Sequence, residues 1–316
     1  MLEVRDVQKT FVLNNGQKLR AVNGVSFQVP ENEILGIVGE SGCGKSTLGR
    51  LILRLIEPGG GQVFFNGEDI TRLNRSALRS RRKSMQMVFQ NPFASFNPKI
   101  RIGGALTEVC RYYGMGVSES RAKIEQLLND TGLSPDLLNR WPRELSGGQL
   151  QRLAIARSLL SEPSLLIADE PLSALDVSVQ AQLLNLLEDL RASRSMVMVF
   201  ISHDMSVVEY FCDRVAVMYM GSIMELLPAA ELSRVSPAAL HPYTQSLRAS
   251  APRLDVFRDS AGKTTPPIRG ETPNPLAFIK GCPFAPRCPE AKSHCNEALP
   301  ELNEVSAGHW VRCVKN

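Results

Sequence analysis

An octapeptide near the amino terminus has the residue types and the spacing of a phosphate-binding loop. Gly39-Glu40-Ser41-Gly42-Cys43-Gly44-Lys45-Ser46 fits G-x-x-x-x-G-K-[ST] and is followed by Thr47. Glycines at these positions let backbone N–H groups turn toward phosphate oxygens, and the start of a following helix adds its positive dipole. We expect Lys45 to reach the β- and γ-phosphates, Ser46 to ligate Mg²⁺ and Thr47 to bond the α-phosphate. A glycine-rich turn that binds nothing is the alternative, and the strand–loop–helix context disfavours it.

Two adjacent carboxylates, Asp169 and Glu170, follow a second apolar run at residues 165–168. Open α/β sheets place their ligand chemistry at the carboxyl ends of buried strands. We therefore expect Asp169 to help hold Mg²⁺, and Glu170 to accept a proton from the water that attacks the γ-phosphate. An acidic turn of this kind is often ordinary, but together with the phosphate loop it indicates nucleotide hydrolysis.

Apolar periodicity predicts the elements that must position these groups. Continuous apolar runs predict buried strands at residues 34–38, 85–89, 165–168 and 196–201. Leucines and isoleucines three and four apart predict helices over residues 48–56 and 179–190, and residues 100–161 are predicted to be mostly helical. Strands that alternate with helices indicate an α/β fold with a mostly parallel sheet.

Composition limits the function classes. A formal net charge of +4 over 316 residues does not support a dedicated nucleic-acid binder. Six cations between Arg72 and Lys83 could form a nucleic-acid or lipid patch, but a solvated helix face is favoured. The longest charge-free apolar stretch, residues 215–224, is shorter than the roughly 20 residues of a membrane span. The amino terminus lacks a signal-peptide pattern, so neither membrane crossing nor secretion is expected.

Four of the seven cysteines crowd into the carboxyl-terminal segment: Cys282, Cys288, Cys295 and Cys313. Cytosolic chains rarely keep disulfides, so this group indicates a metal or iron–sulfur site. The spacing C-x5-C-x6-C-x17-C disfavours Zn²⁺, which usually takes cysteines in close pairs, but a cluster, zinc and free thiols all remain open. A proline-rich linker is predicted over residues 263–275, and the segment after it has too few large apolar side chains for a core of its own.

Ordered motifs over about residues 1–230 resemble the ATP-binding cassette (ABC) ATPases. The decisive stretch is Leu145-Ser146-Gly147-Gly148-Gln149, which matches the LSGGQ signature of that family. Gln90 resembles the Q-loop glutamine, and His203 the switch histidine. Residues 173–176 resemble the D-loop, and Phe11 resembles the aromatic residue that stacks on adenine.

The resemblance implies a role for each of these residues. Ser146, Gly147, Gly148 and Gln149 of one protomer would face the phosphate loop of a second, so that two ATP molecules are sandwiched head to tail. Gln90 would link Mg²⁺ and the attacking water to a helical subdomain, and His203 would brace the γ-phosphate. The implied fold is a P-loop NTPase core of the ABC ATPase type with an inserted helical subdomain, about residues 91–161.

A finer resemblance is to the peptide/nickel importer branch of that family. It is carried by residues 88–92, by His241-Pro242-Tyr243-Thr244 and by Gly281-Cys282-Pro283-Phe284-Ala285-Pro286-Arg287-Cys288, which matches Gly-Cys-x-Phe-x-x-Arg-Cys. Leu172 and Leu150 depart from the common pattern without removing an assigned group. The resemblance implies an ABC domain over residues 1–240 and a small Cys-rich extension over residues 241–316, with a [4Fe–4S] cluster on its four cysteines.

The function that this branch implies is ATP hydrolysis that powers import of di- or oligopeptides. The implied partners are a second ABC ATPase subunit, identical or homologous, two membrane permease subunits and, through them, an extracytoplasmic solute-binding protein. The chain would then be peripheral on the cytoplasmic face of the membrane. Import of nickel or another small solute is an alternative, and a soluble ABC ATPase acting on nucleic acid is a weaker one, because a second cassette and a long coiled-coil insertion are both missing from the sequence.

Overall fold

The structure is a computed structural model that describes residues 1–173, 175–236, 239–250, 274, 276 and 279–314. The predicted proline-rich linker lies outside the described residues except for Asn274, and so does Ala174 of the predicted D-loop. Contacts divide the chain into two compact units. The first contains residues 1–2, 29–33 and 66–199, and the second contains residues 3–28, 34–65 and 200–316.

The described residues form twelve β-strands and nine α-helices. The strands are β1 Leu2–Val12, β2 Lys18–Val29, β3 Ile34–Val38, β4 Gly60–Phe65, β5 Glu68–Asp69, β6 Met85–Val88, β7 Leu165–Asp169, β8 Val197–Ile201, β9 Arg214–Tyr219, β10 Ser222–Pro228, β11 Asn303–Ser306 and β12 His309–Val311. The helices are α1 Lys45–Ile52, α2 Arg75–Arg81, α3 Ile102–Tyr112, α4 Val117–Asp130, α5 Gly147–Leu159, α6 Val177–Arg194, α7 Met205–Phe211, α8 Glu231–Arg234 and α9 Pro242–Ser250.

The first unit combines a parallel strand pair with the helices of residues 102–159. Strands β6 and β7 run parallel in register from Met85 opposite Leu165 to Val88 opposite Ala168. All five residues of β7 are buried, in keeping with the continuous apolar run of its first four residues. Helix α5 packs against β6 and α4, and α3 packs against α4. The carboxyl ends of β6 and β7 therefore lie side by side at the same edge of the sheet.

The second unit contains a mixed sheet with strand order β11-β12-β10-β9-β3. Strands β3 and β9 are parallel, and β9 and β10 are antiparallel. Every residue of β3 is buried, and α7 packs closely on it. A Cβ at Gly36 would lie 2.3 Å from the Val208 side chain, so glycine here permits that close approach. Strand β3 leads directly into the loop that precedes α1.

The carboxyl-terminal segment is held by the second unit. Strand β12 pairs antiparallel with β10, with Glu225 opposite Val311, and β11 pairs with β12. The fully buried Phe284 ring packs against Tyr219 and Tyr243, with centroid separations of 5.4 and 5.3 Å. The segment thus shares a core with the rest of the unit, which supplies the apolar surface that its own sequence lacks.

The predicted elements exist, with shifted ends. The helix predicted over residues 48–56 is wrong at its end, because Arg54 adopts a left-handed backbone (φ 49°) and α1 stops at Ile52. The helix after the signature begins at Gly147, so the signature glycines are its first turn. The predicted domains at residues 1–240 and 241–316, and the helical subdomain at residues 91–161, stay predictions; the compact units divide the chain elsewhere.

Candidate nucleotide site

The phosphate loop is shaped by two glycines that no other residue could replace without displacing the backbone. Gly39 has φ 155° and Gly44 has φ 106°. A Cβ at Gly39 would lie 2.1 Å from the Met218 carbonyl oxygen, and one at Gly44 would lie 2.1 Å from that of Ala21. The loop is therefore pressed against neighbouring backbone on its outer side, which leaves its N–H groups to turn inward.

Lys45 folds back over this loop. Its side chain is buried, and Nζ donates to the carbonyl oxygens of Gly39 at 2.7 Å and Glu40 at 3.0 Å. Ser46 and Thr47 are half-buried in the first turn of α1, at the positive end of the helix dipole. The loop thus presents an ammonium group, hydroxyl groups and a helix start together, which is the chemistry that an anionic phosphate chain requires.

A carboxylate and an amide meet beyond the ends of β6 and β7. Gln90 Nε2 donates a hydrogen bond to Glu170 Oε2 at 2.9 Å. Asp169 is the last residue of β7 and is 1% exposed, whereas Glu170 follows it with a left-handed backbone at φ 47°. The sequence placed Gln90 and Glu170 on separate motifs, and the parallel pairing of β6 with β7 brings them into contact.

The signature begins a helix through a reciprocal cap. Ser146 Oγ accepts from the Gln149 backbone N–H at 3.2 Å, and Gln149 Oε1 accepts from the Ser146 N–H at 3.1 Å. Gly147 and Gly148 form the first turn of α5. This capping box fixes where the helix starts, and its glycines leave the amino-terminal N–H groups accessible to an anion.

The remaining predicted contacts of the nucleotide lie in the second unit with the phosphate loop. His203 is exposed directly after β8. The next residue, Asp204, caps α7 by accepting from the N–H groups of Ser206 and Val207. Phe11 is half-buried in β1, and Lys9 Nζ lies 5.3 Å from its ring centroid. Both predicted residues are thus at least partly accessible to a ligand.

The basic stretch ahead of β6 is paired with acids and a phenol. Arg81 Nε lies 2.7 Å from Glu68 and Arg72 Nε lies 3.3 Å from Asp69. Arg79 Nε donates to the Tyr112 hydroxyl at 2.8 Å. These contacts favour a solvated helix face over a nucleic-acid patch.

The four carboxyl-terminal cysteines line one cavity of about 120 Å³. The pKa of the Cys282 thiol is raised to about 11, chiefly by burial, and the nearby Cys313 and Cys288 thiols act in the same direction. Burial also raises the pKa of Cys288. Four sulfurs on one cavity are a suitable donor set for a cluster. Among the described residues, however, no three His, Cys, Asp or Glu side chains are placed closely enough to hold a metal ion.

The segment that carries these cysteines also reaches the phosphate loop, a contact that the motifs did not reveal. Arg287 Nη1 binds both carboxylate oxygens of Glu40, at 3.0 and 2.8 Å. The Tyr243 hydroxyl accepts from the Glu40 backbone N–H at 2.9 Å. The sequence signal was present in the Gly-Cys-x-Phe-x-x-Arg-Cys motif, but nothing in it indicated which carboxylate the arginine would meet.

Of the helices that the structure describes, none combines the length and apolar character of a bilayer span.

Sequence profiles of two families match the chain. The profile described as ABC transporter matches residues 22–173, and the one described as oligopeptide/dipeptide transporter, C-terminal region, matches residues 224–295.

Relatives match over nearly the full length of the chain. The chain is 47% identical to the oligopeptide transport ATP-binding protein AppF of Bacillus subtilis, over 99% of this chain and 96% of that protein. It is 45% identical to the probable peptide ABC transporter ATP-binding protein y4tS of Sinorhizobium fredii, over 99% of this chain and 89% of that protein.

Solved structures show the same fold over about three quarters of the chain. The dimeric ATP-binding cassette MJ0796, in a post-hydrolysis state bound to ADP and Pi, superimposes with a TM-score of 0.68 and 28% identity, covering 72% of this chain and 99% of that one. The cbiO1 protein from Clostridium perfringens, part of the ABC transporter complex cbiONQ, gives a TM-score of 0.64 and 26% identity, covering 73% of this chain and 89% of that one.

Proposed function

The chain belongs to the ABC transporter ATP-binding proteins, and from that membership we propose that it hydrolyses ATP to power import of di- or oligopeptides. One observation carries the peptide assignment: residues 224–295 match the oligopeptide/dipeptide transporter C-terminal region, in a chain with an intact phosphate loop. The names of AppF and y4tS support the same cargo class.

The nucleotide is held mainly by the phosphate loop, residues 39–46, and by Thr47. Lys45 exchanges its bonds to the Gly39 and Glu40 carbonyls for bonds to phosphate oxygens, and Phe11 stacks on adenine. The donor set of Ser46, Gln90 and Asp169 fits Mg²⁺, because hydroxyl, amide and carboxylate oxygens are the ligands that this ion prefers. Bound Mg²⁺ neutralises charge on the phosphates.

Hydrolysis is assigned to Glu170. Its carboxylate accepts a proton from the water as the water oxygen bonds to the γ-phosphorus and the bond to the ADP oxygen breaks. The hydrogen bond from Gln90 holds the carboxylate in one orientation. His203 donates to the γ-phosphate, and the signature of a second protomer, Ser146 to Gln149, closes the site over the nucleotide.

The transporter complex follows from the family. Import requires membrane permease subunits and a binding protein that delivers the solute, and we propose two permeases and a second ABC ATPase, identical or homologous. The chain is peripheral on the cytoplasmic face of the membrane, where ATP is available. The ion pairs of Arg72 and Arg81 favour this role over one on nucleic acid.

A [4Fe–4S] cluster is proposed for Cys282, Cys288, Cys295 and Cys313, with Zn²⁺ as the alternative. Their shared cavity supports a single centre, and four thiolates are the usual ligand set of such a cluster. When bound, the centre would crosslink residues up to 31 positions apart (313 − 282). Anaerobic purification should give brown protein containing iron and acid-labile sulfide; colourless protein with stoichiometric zinc would contradict the cluster.

The cargo is tested by reconstitution with the permeases that co-purify with the chain. Binding protein loaded with a peptide should stimulate ATP hydrolysis and drive peptide into vesicles. Stimulation by a nickel chelate but not by peptides would instead favour nickel as the cargo. Hydrolysis stimulated by DNA or RNA and indifferent to permeases would contradict the transport role.

A further inference from the structure

The carboxyl-terminal segment contacts Glu40 of the phosphate loop at both its side chain and its backbone. Arg287 is 7% exposed, and its Nη1 forms an ion pair in which it lies within hydrogen-bonding distance of both Glu40 carboxylate oxygens. The Tyr243 hydroxyl accepts from the Glu40 backbone N–H. Side chain and backbone of a single loop residue are therefore both fixed by residues from beyond position 240.

The Arg287 guanidinium and the Tyr243 phenol are themselves held by further contacts. Arg287 Nη1 also donates to the Tyr219 hydroxyl at 3.2 Å. The Tyr219 and Tyr243 rings lie 4.6 Å apart between centroids, and both pack on Phe284. Burial raises the pKa of both tyrosines, so the phenols stay neutral and keep their hydrogen-bonding roles. The Arg287 N–H donates to the Phe284 carbonyl at 2.9 Å, which closes the turn that carries the guanidinium.

Glu40 also contacts the phosphate-binding lysine, Lys45. The carbonyl oxygen of Glu40 accepts from Lys45 Nζ at 3.0 Å, next to the bond from Lys45 to Gly39. Contacts thus run from Arg287 through Glu40 to Lys45, and of these only the Lys45 bonds are exchanged for bonds to phosphate when ATP binds. Because charge-assisted hydrogen bonds are stronger than neutral ones, the partly buried pair of Arg287 with Glu40 limits the conformations of the loop.

We propose that Arg287 is a positioning residue for the phosphate loop: it acts through Glu40 to preorganise the loop, so the carboxyl-terminal segment sets the affinity for ATP. The proposal rests on the proposed ATP-binding function. A loop that is already ordered loses less conformational entropy when ATP binds, and the affinity is higher for that reason. Arg287 is assigned no contact with the γ-phosphate or the attacking water, so it acts on binding and leaves the chemical step to Glu170.

The test is a double-mutant cycle on the full-length chain. ATP affinity is measured calorimetrically with ATP in the presence of a metal chelator, which suppresses hydrolysis, and KM and kcat are measured separately. Arg287→Ala and Glu40→Ala should each weaken ATP binding about tenfold, with a similar rise in KM and little change in kcat. The double variant should be no weaker than the weaker single one, since residues that act as one unit are not additive. Arg287→Lys keeps the charge but replaces the planar guanidinium with a compact ammonium group, so it should fall between wild type and Arg287→Ala.

Arg312→Ala is the matched control. Arg312 is another partly buried arginine of the same segment, but it donates to the carbonyls of Ile223 and Pro300 rather than to the loop. It should lower the unfolding midpoint while leaving ATP affinity near that of wild type. Equal loss of affinity in Arg312→Ala and Arg287→Ala would overturn the proposal, as would wild-type affinity in Arg287→Ala or additive effects in the cycle.

If Arg287→Ala does not fold, Glu40→Ala and Arg287→Lys decide the question, because both leave the aromatic packing of the segment intact. Wild-type affinity in both would overturn the proposal. A wild-type chain that binds no ATP would instead contradict the proposed function, so the two failures are distinguishable.

Discussion

Gln90 and Glu170 are joined by a hydrogen bond of 2.9 Å between the amide nitrogen and a carboxylate oxygen. They are 80 positions apart in the chain, and the parallel pairing of β6 with β7 places them side by side. Glu170 also has a left-handed backbone, at φ 47°, which is uncommon for a glutamate. Strain of this kind concentrates at functional sites, in agreement with the role assigned to this carboxylate.

Replacing Glu170 with glutamine should nearly abolish turnover. An amide cannot accept the proton of the attacking water, and general-base assistance is worth about 10²–10⁴-fold. ATP should still bind, so the variant should accumulate as an ATP-stabilised dimer in size-exclusion chromatography. Glu162→Gln is the control, because it removes a surface carboxylate, paired with Lys123, from the same unit. Wild-type hydrolysis by Glu170→Gln would remove Glu170 from the mechanism.

Gln90→Ala should lower kcat about tenfold. Because Gln90 is also a proposed Mg²⁺ ligand, ATP affinity is measured with a metal chelator present, and it should be nearly unchanged. Hydrogen bonds to charged groups are worth about 1.5–3 kcal/mol, and solvent exposure of this pair places it at the lower end. Single-turnover hydrolysis and equilibrium ATP binding separate the two quantities. An unaltered rate would show that the contact does not orient the carboxylate.

The Cys43 thiol in the phosphate loop should be slow to react. It is buried, and burial raises its pKa above the ordinary value of 9.0, so the reactive thiolate is scarce near neutral pH. The rate of iodoacetamide labelling, followed by mass spectrometry of the peptide, should climb only as pH rises beyond that value. Labelling at neutral pH as fast as free cysteine would contradict the packing of this loop.

Stability should fall as pH drops from about 6.5 toward about 3, through His241. Burial lowers the pKa of His241 to about 3, from 6.5 in the unfolded chain. In that window His241 is protonated in the unfolded state and neutral in the folded state. The free energy of unfolding therefore rises with pH, by at most about 1.4 kcal/mol per pH unit.

His241→Asn is the informative variant, because its side-chain oxygen can still accept from the Tyr243 N–H, as His241 Nδ1 does at 3.0 Å. Denaturant unfolding across the window should show a shallower pH dependence in this variant. The buried His309–Glu225 pair is left unchanged and serves as a common background. Parallel curves for wild type and variant would assign the acid sensitivity to another group.

The sequence predicted the local parts of this site and missed the contacts that pairing creates. The phosphate loop, Asp169 and the signature are each readable within a few residues, because chemistry and turn geometry there are local. The contact of Gln90 with Glu170 depends on strand pairing, which periodicity does not specify. The end of α1 was missed because apolar spacing continues to Ile56 while the backbone turns at Arg54.

The carboxyl-terminal segment shows the same limit. Its composition indicated correctly that it could not form its own core, and the four cysteines suggested that a metal would hold it. In the structure β12 extends the sheet at β10, and Phe284 packs against both Tyr219 and Tyr243. Pairing with a distant strand leaves no local sequence pattern, so this anchoring could not be predicted.

The most direct test of the account is complementation between two inactive variants. Lys45→Ala lacks the phosphate-binding lysine, and Ser146→Arg blocks the signature. If each site combines the loop of one protomer with the signature of the other, mixing the two should restore about a quarter of the wild-type ATPase rate, since half of the dimers are mixed and each has one intact site of two. In a chain that size-exclusion chromatography shows to dimerise with itself, no recovery on mixing, or a wild-type rate from Ser146→Arg by itself, would contradict the shared nucleotide site.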